Sequence, residues 1–147
     1  MNEVKPVEIL LVEDNPGDIQ LTREALDDCK MINNLHVAED GEKALNFLFK
    51  TEGYEKSPKP DLIILDLNLP KVDGREVLEK IKLDDKLKLI PVVVLTTSKA
   101  DEDILKMYKL HANCYITKPL NIDRFFEVVK AIENFWMGIV VMPPKGA

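Results

Sequence analysis

Five short apolar runs recur along this chain, and each is separated from the next by a stretch with a different period. The runs are Val7-Glu8-Ile9-Leu10-Leu11-Val12, Leu35 to Ala38, Leu62-Ile63-Ile64-Leu65, Val92-Val93-Val94-Leu95 and Cys114-Tyr115-Ile116-Thr117. They are too short for helices and rich in β-branched residues, so they read as strands. The intervening stretches carry apolar residues at helical spacing. Ile19, Thr22, Ala25, Leu26 and Cys29 form one stripe. Ala44, Leu45 and Leu48 form a second, and Val77, Leu78 and Ile81 a third. Ile104, Leu105, Tyr108 and Ala112 suggest a fourth helix; Ile122, Phe125, Phe126, Val129 and Ile132 suggest a fifth. Strands alternating with helices imply βαβ units and a parallel sheet. Strands that are apolar throughout, rather than at alternate positions, fit a sheet covered on both faces.

Turn chemistry supports the same division. Asn15-Pro16 supplies a helix N-cap followed by proline at the first helical position. Asp40-Gly41 and Asp73-Gly74 mark turns, and Gly53, Ser57, Pro58 and Pro60 make residues 52–60 a loop. The 147 residues fit one domain, with a core from about 7 to 135 and an apolar tail over 136–147.

An open parallel sheet binds its ligands beyond the carboxyl ends of its strands. That rule selects a few polar residues. Glu13-Asp14 follow the first strand, Asp66 the third and Lys118 the fifth, while Thr96 closes the fourth. Three carboxylates in one crevice repel each other, and a hard cation relieves the repulsion. Mg²⁺ suits such oxygen ligands. Asp14 and Asp66 are then expected as direct ligands and Glu13 through water, with the backbone carbonyl of Asn68 in another position. The Asp66 carboxylate can act as a nucleophile toward phosphorus. Lys118 supplies an ammonium, and Thr96 a hydroxyl donor, for phosphoryl oxygens.

These segments together resemble a known family, the receiver domains of two-component response regulators. The resemblance rests on Leu11-Val12-Glu13-Asp14, on Leu65-Asp66-Leu67-Asn68-Leu69-Pro70 with Asp73-Gly74, on Val94-Leu95-Thr96, and on Tyr115-Ile116-Thr117-Lys118-Pro119. It implies a flavodoxin-like (βα)5 fold with strand order 2-1-3-4-5. It implies that Asp66 is the phosphoacceptor and that Glu13 and Asp14 are the acidic pair that holds Mg²⁺. Thr96 and Tyr115 are similar to the switch hydroxyl and switch aromatic, and Lys118 to the lysine that senses phosphate. Asn68 and Ser98 resemble positions that tune loss of the phosphoryl group. Glu13-Asp14-Asn15-Pro16-Gly17-Asp18 and Leu95-Thr96-Thr97-Ser98, with Phe135-Trp136, look closest to stand-alone members serving phytochrome-type or hybrid sensor kinases. The partners implied are a sensor histidine kinase and a downstream protein.

Rival functions are weaker. A haloacid-dehalogenase-type phosphatase or phosphotransferase needs an acid two residues after its nucleophile, where this chain has Asn68. A flavodoxin-like cofactor binder needs a phosphate-cradling loop after the first strand, where Glu13-Asp14 would repel phosphate. A degenerate receiver that works unphosphorylated is disfavoured by the intact acidic set. The formal charge of −6, with 26 acids against 20 bases, makes nucleic acid a poor partner. No stretch is apolar enough to span a bilayer. Two cysteines make no disulfide framework, and a cytoplasmic location is expected. His36 and His111 read as structural or surface residues. The tail Phe135 to Met142 is either packed on its own domain or a contact for a partner or a second copy.

Overall fold

The structure is a computed structural model; it describes residues 6–28, 32–96 and 114–118, together with 123, 127, 130 and 131. The elements follow in the order β1 (Val7–Val12), α1 (Pro16–Asp27), β2 (Asn33–Ala38), α2 (Gly41–Phe49), β3 (Leu62–Asp66), α3 (Gly74–Leu83), β4 (Val92–Thr96) and β5 (Cys114–Thr117). A 3₁₀ turn at Leu87–Leu89, which the apolar pattern did not signal, precedes β4. All neighbouring strands are parallel, and the sheet order is β2-β1-β3-β4-β5, as expected. The expected fourth helix and the apolar tail lie outside the described residues. Of the expected fifth helix, Asp123, Glu127, Lys130 and Ala131 are helical and exposed.

Successive strand residues point to opposite faces, and here both faces are buried. Leu10, Val12, Ile63, Leu65, Val92 and Val94 pack on one side with Ala44, Phe47 and Leu48 of α2 and Val77, Leu78 and Ile81 of α3. Ile9, Leu11, Leu62, Ile64, Val93, Leu95 and Ile116 pack on the other, with Ala25 and Leu26 of α1. Burying each such side chain stabilises the fold by roughly 1.5–3 kcal/mol before entropy is charged. This double burial is the physical reason the central strands are apolar at every position.

The edge strand differs. β2 begins at Asn33, two residues before the apolar signal at Leu35. Asn34 and His36 are on it, and both reach Glu8 of β1. Asn34 Nδ2 donates to Glu8 Oε2 at 2.9 Å, and His36 Nε2 lies 2.7 Å from Glu8 Oε1. Polar pairing replaces apolar burial where the strand has a neighbour on one side alone.

Helix starts obey their local chemistry. Asn15 Oδ1 accepts the Asp18 N–H at 3.0 Å, with Pro16 at the first helical position of α1. Asp40 caps α2 by accepting the Lys43 N–H, and Asp73 caps α3 by accepting the Arg75 N–H. The turn signals at Asp40-Gly41 and Asp73-Gly74 are therefore N-caps followed by the first residue of each helix.

Candidate functional site

Register brings the candidate residues together. Val12 is paired with Leu65, so Glu13 and Asp66 stand side by side one step further on. Asp66 is paired with Leu95, and Thr96, one step beyond, is paired with Thr117. Lys118 follows, and its N–H donates to the Thr96 carbonyl at 2.6 Å. Four strands thus end at one edge with an acid, an acid, a threonine and a lysine. The selection made from strand ends is a property of the sheet.

Side-chain geometry concentrates charge there. Glu13, Asp66 and Thr96 are buried, whereas Asp14 is exposed. Glu13, Asp14 and Asp66 each offer one carboxylate oxygen within 4.8 Å of the others. Lys118 Nζ is 2.7 Å from Glu13 Oε1 and 3.0 Å from Asp66 Oδ2. Asp66 Oδ1 accepts the Asn68 N–H at 3.0 Å. That bond fixes both the carboxylate plane and the start of the following loop. Asn68 itself is exposed. Tyr115 is half-buried and packs against the core on the α2 and α3 side. Ser98 lies outside the described residues.

Glu13 carries the largest electrostatic cost. Its Oε2 accepts the N–H groups of Asp14 and Asn15 at 3.1 and 3.2 Å. Its Oε1 is buried and faces the Lys118 ammonium at 2.7 Å. Burial raises the carboxyl to about 7, and the neighbouring Asp66 adds to the rise, while Lys118 opposes it. For Lys118, burial works toward a lower value. Its bonds to Glu13, Asp18 and Asp66 outweigh that and hold the ammonium above its ordinary range. Three carboxylates whose oxygens converge within 4.8 Å, two of them buried, are a set that fits a hard divalent cation. Such ions take carboxylate and carbonyl oxygens.

Asp18 was missed as a site residue. Its carboxylate Oδ2 lies 2.9 Å from Lys118 Nζ. The local signal was present in Asn15-Pro16-Gly17-Asp18, which puts an acid in the first turn of a helix that starts at the pocket. Sequence spacing alone could not show that this acid turns toward β5, a hundred residues away along the chain.

Two glycines hold the loop between β3 and α3 against its surroundings. A Cβ on Gly74 would stand 2.4 Å from the Asp66 carbonyl oxygen and 2.5 Å from Leu67 Cα. A Cβ on Gly41 would stand 2.0 Å from the Val72 carbonyl oxygen. Between them Lys71 adopts φ 65°, a conformation unfavourable for a side chain other than glycine's. The Lys71 ammonium lies 3.8 Å from Asp40, the cap of α2. The backbone after Asp66 is therefore closely constrained.

Among the described residues, no helix is long and apolar enough to cross a membrane.

The chain is similar to known proteins in sequence and in fold. The family model described as response regulator receiver domain matches residues 9–130. Response regulator Rcp1 of Synechocystis sp. (strain ATCC 27184 / PCC 6803 / Kazusa) is 49% identical over 138 residues, 94% of each chain. The crystal structure of the Mn²⁺-bound form of response regulator Rcp1 is 50% identical, with TM-score 0.77, covering 89% of this chain and 94% of that one. The crystal structure of the phosphorylated cyanobacterial phytochrome response regulator RcpA is also 50% identical, with TM-score 0.78, covering 90% and 95%. The order of the strands, the residues at their ends and these matches agree, and the chain belongs to the response regulator receiver domain family of two-component systems.

Proposed function

We propose that this chain is a phosphorylation-controlled binding module whose Asp66 carboxylate accepts a phosphoryl group from a sensor histidine kinase. The supporting observation is the buried Asp66 carboxylate, bonded to Lys118 Nζ at 3.0 Å and set beside two further acids at the carboxyl ends of parallel strands. In the transfer, an Asp66 oxygen forms a bond to phosphorus. The phosphorus–nitrogen bond of the donor histidine breaks, and its electron pair stays on the ring nitrogen. The Asn68 N–H on Oδ1 holds the carboxylate in one orientation for this attack. Glu13, Asp14 and Asp66, with the Asn68 carbonyl, would hold Mg²⁺, which neutralises charge on the transferring group.

Lys118 then donates to a phosphoryl oxygen, as does the Thr96 hydroxyl. The new group adds charge and acceptor oxygens to the pocket. Because the Lys118 N–H is bonded to the Thr96 carbonyl, the ends of β4 and β5 respond together. Tyr115, half-buried on β5, is the aromatic expected to change position with Thr96. The ligand shifts a pre-existing equilibrium between two surfaces, and the output is a contact with a downstream protein. Asn68, exposed two residues past the acceptor, would orient a water for loss of the phosphoryl group. The relative whose structure is described as a phosphorylated phytochrome response regulator supports a phytochrome-type kinase as the donor.

Incubation with Mg²⁺ and acetyl phosphate, followed by mass spectrometry, tests this reading. One added phosphoryl group is expected, absent in Asp66→Ala and in the presence of chelator. No mass gain with acetyl phosphate or with a phosphorylated kinase domain overturns it.

A further inference from the structure

Asp18 is the third helical residue of α1, after the cap Asn15, Pro16 and Gly17. An acid there ordinarily faces solvent near the positive end of the helix, or reaches back to the N–H of the cap residue. Neither describes this one. The Asn15 N–H is already taken by Glu13 Oε2 at 3.2 Å. The Asp18 side chain is only 20% exposed, and its carboxylate lies 2.9 Å from Lys118 Nζ. Its backbone is held on both sides. The N–H donates to Asn15 Oδ1, and the carbonyl accepts the hydroxyl of buried Thr22 at 2.8 Å.

Lys118 has three ammonium donors and three carboxylates around it, Glu13, Asp18 and Asp66. They differ in one respect. Glu13 and Asp66 belong to the set whose oxygens converge within 4.8 Å, and Asp18 does not. A divalent cation entering that set competes with the ammonium for Glu13 and Asp66, and repels it as a like charge. Asp18 is the acid left outside the competition.

We propose that Asp18 is a positioning residue that keeps the Lys118 ammonium within reach of Asp66 when a divalent cation occupies Glu13 and Asp66. The proposal rests on the cation-dependent reading of the pocket given above. Asp18 makes no bond to the transferring group itself. It acts through Lys118, and its cost is a carboxylate withdrawn from water at the mouth of the pocket.

The test follows the ammonium directly. In uniformly ¹³C,¹⁵N-labelled protein, the Lys118 Nζ signal and the carboxylate carbons of Glu13 and Asp66 are recorded while Mg²⁺ alone is titrated. In the parent the signal is expected to persist at saturating Mg²⁺, while the resonances of Glu13 and Asp66 shift. In Asp18→Asn it is expected to persist without Mg²⁺ and to exchange away once Mg²⁺ is added; Asp18→Glu should retain it. Acetyl phosphate modification at saturating Mg²⁺ should slow in Asp18→Asn by about fivefold to tenfold, the scale of one charge-assisted hydrogen bond. In a Lys118→Ala background the same change should cost less than about twofold, since the partner is gone. Parent resonances that ignore Mg²⁺ would sink the cation reading and this proposal with it. Parent resonances that shift, with a Lys118 signal in Asp18→Asn as persistent as in the parent, would overturn the role of Asp18 alone. An equal loss of rate in the Lys118→Ala background would overturn it too.

Discussion

Strand β1 carries one glutamate near its start and another immediately past its end, and the two live in opposite electrostatic worlds. Glu8 sits toward the open edge of the sheet, where Asn34 and His36 of β2 bond its two oxygens. Those bonds, led by His36, pull its carboxyl below the ordinary value of 4.5. Glu13 is fully buried, and burial pushes its carboxyl up to about 7. The residue type and the strand are the same, so the difference comes from surroundings. At the edge, water and polar neighbours make the charge welcome. At the carboxyl end, the fold retains a charge that it stabilises poorly. Strain of this kind concentrates where a protein binds or reacts.

The largest effect on this contrast should come from removing the cation that serves the unfavourable end. Lys118→Met leaves Glu13 and Asp66 buried without their ammonium. Losing one partner of a buried pair is costly, and the side chain's 12% exposure moderates the loss to about 2 kcal/mol. Urea unfolding with chelator present measures it, and Mg²⁺ should restore most of the difference. A variant as stable as the parent in chelator would show that the pocket tolerates its acids unaided.

A smaller effect of opposite sign is expected from Glu13→Gln. The folded carboxyl titrates near 7 and the unfolded one near 4.5. The folded state therefore holds the proton more tightly, and stability falls as pH rises across that window. Replacing the acid should raise stability in chelator by about 1 kcal/mol at pH above 7 and by almost nothing near pH 5. Isothermal titration should show the opposite for function, with Mg²⁺ affinity down at least about tenfold. Equal stability at both pH values would erase the contrast between the two ends of β1.

The smallest effect belongs to Glu8→Gln. A depressed carboxyl contributes stability above its unfolded value and loses it as pH falls through the folded one. The substitution should cost about 0.5 kcal/mol at neutral pH, and the difference should fade as pH falls below 4.5 and through the lower folded value. Unfolding curves for parent and variant across that range would show it. A gap that stays constant with pH would mean that packing, not charge, matters at Glu8.

What could be read from the chain follows the reach of each interaction. The central strands were legible because burial on both faces leaves an unbroken apolar run, as at Leu62 to Leu65. The acidic and basic strand ends were legible because a parallel sheet puts all carboxyl ends on one edge. The start of β2 was not, because Asn33 and Asn34 answer to polar partners such as Glu8, distant in sequence. Asp18 was not, because its meaning depends on Lys118. The 3₁₀ turn at Leu87–Leu89 was not, because Asp84 sets it locally by accepting the Lys86 and Leu87 N–H groups at 2.9 Å. Two acids followed by two lysines alternating with two leucines carry no helical period.

Chain order adds a consequence to the bonds of Lys118. Glu13, Asp14, Asp18 and Asp66 all precede it by at least about fifty residues. During synthesis, four acids destined for one crevice emerge before the ammonium that joins three of them. A chain that has formed β1, α1 and β3 lacks that counter-charge until β5 docks beside β4 and delivers it. The pocket therefore reports on completion. It becomes electrostatically whole only when the last strand of the sheet is in place.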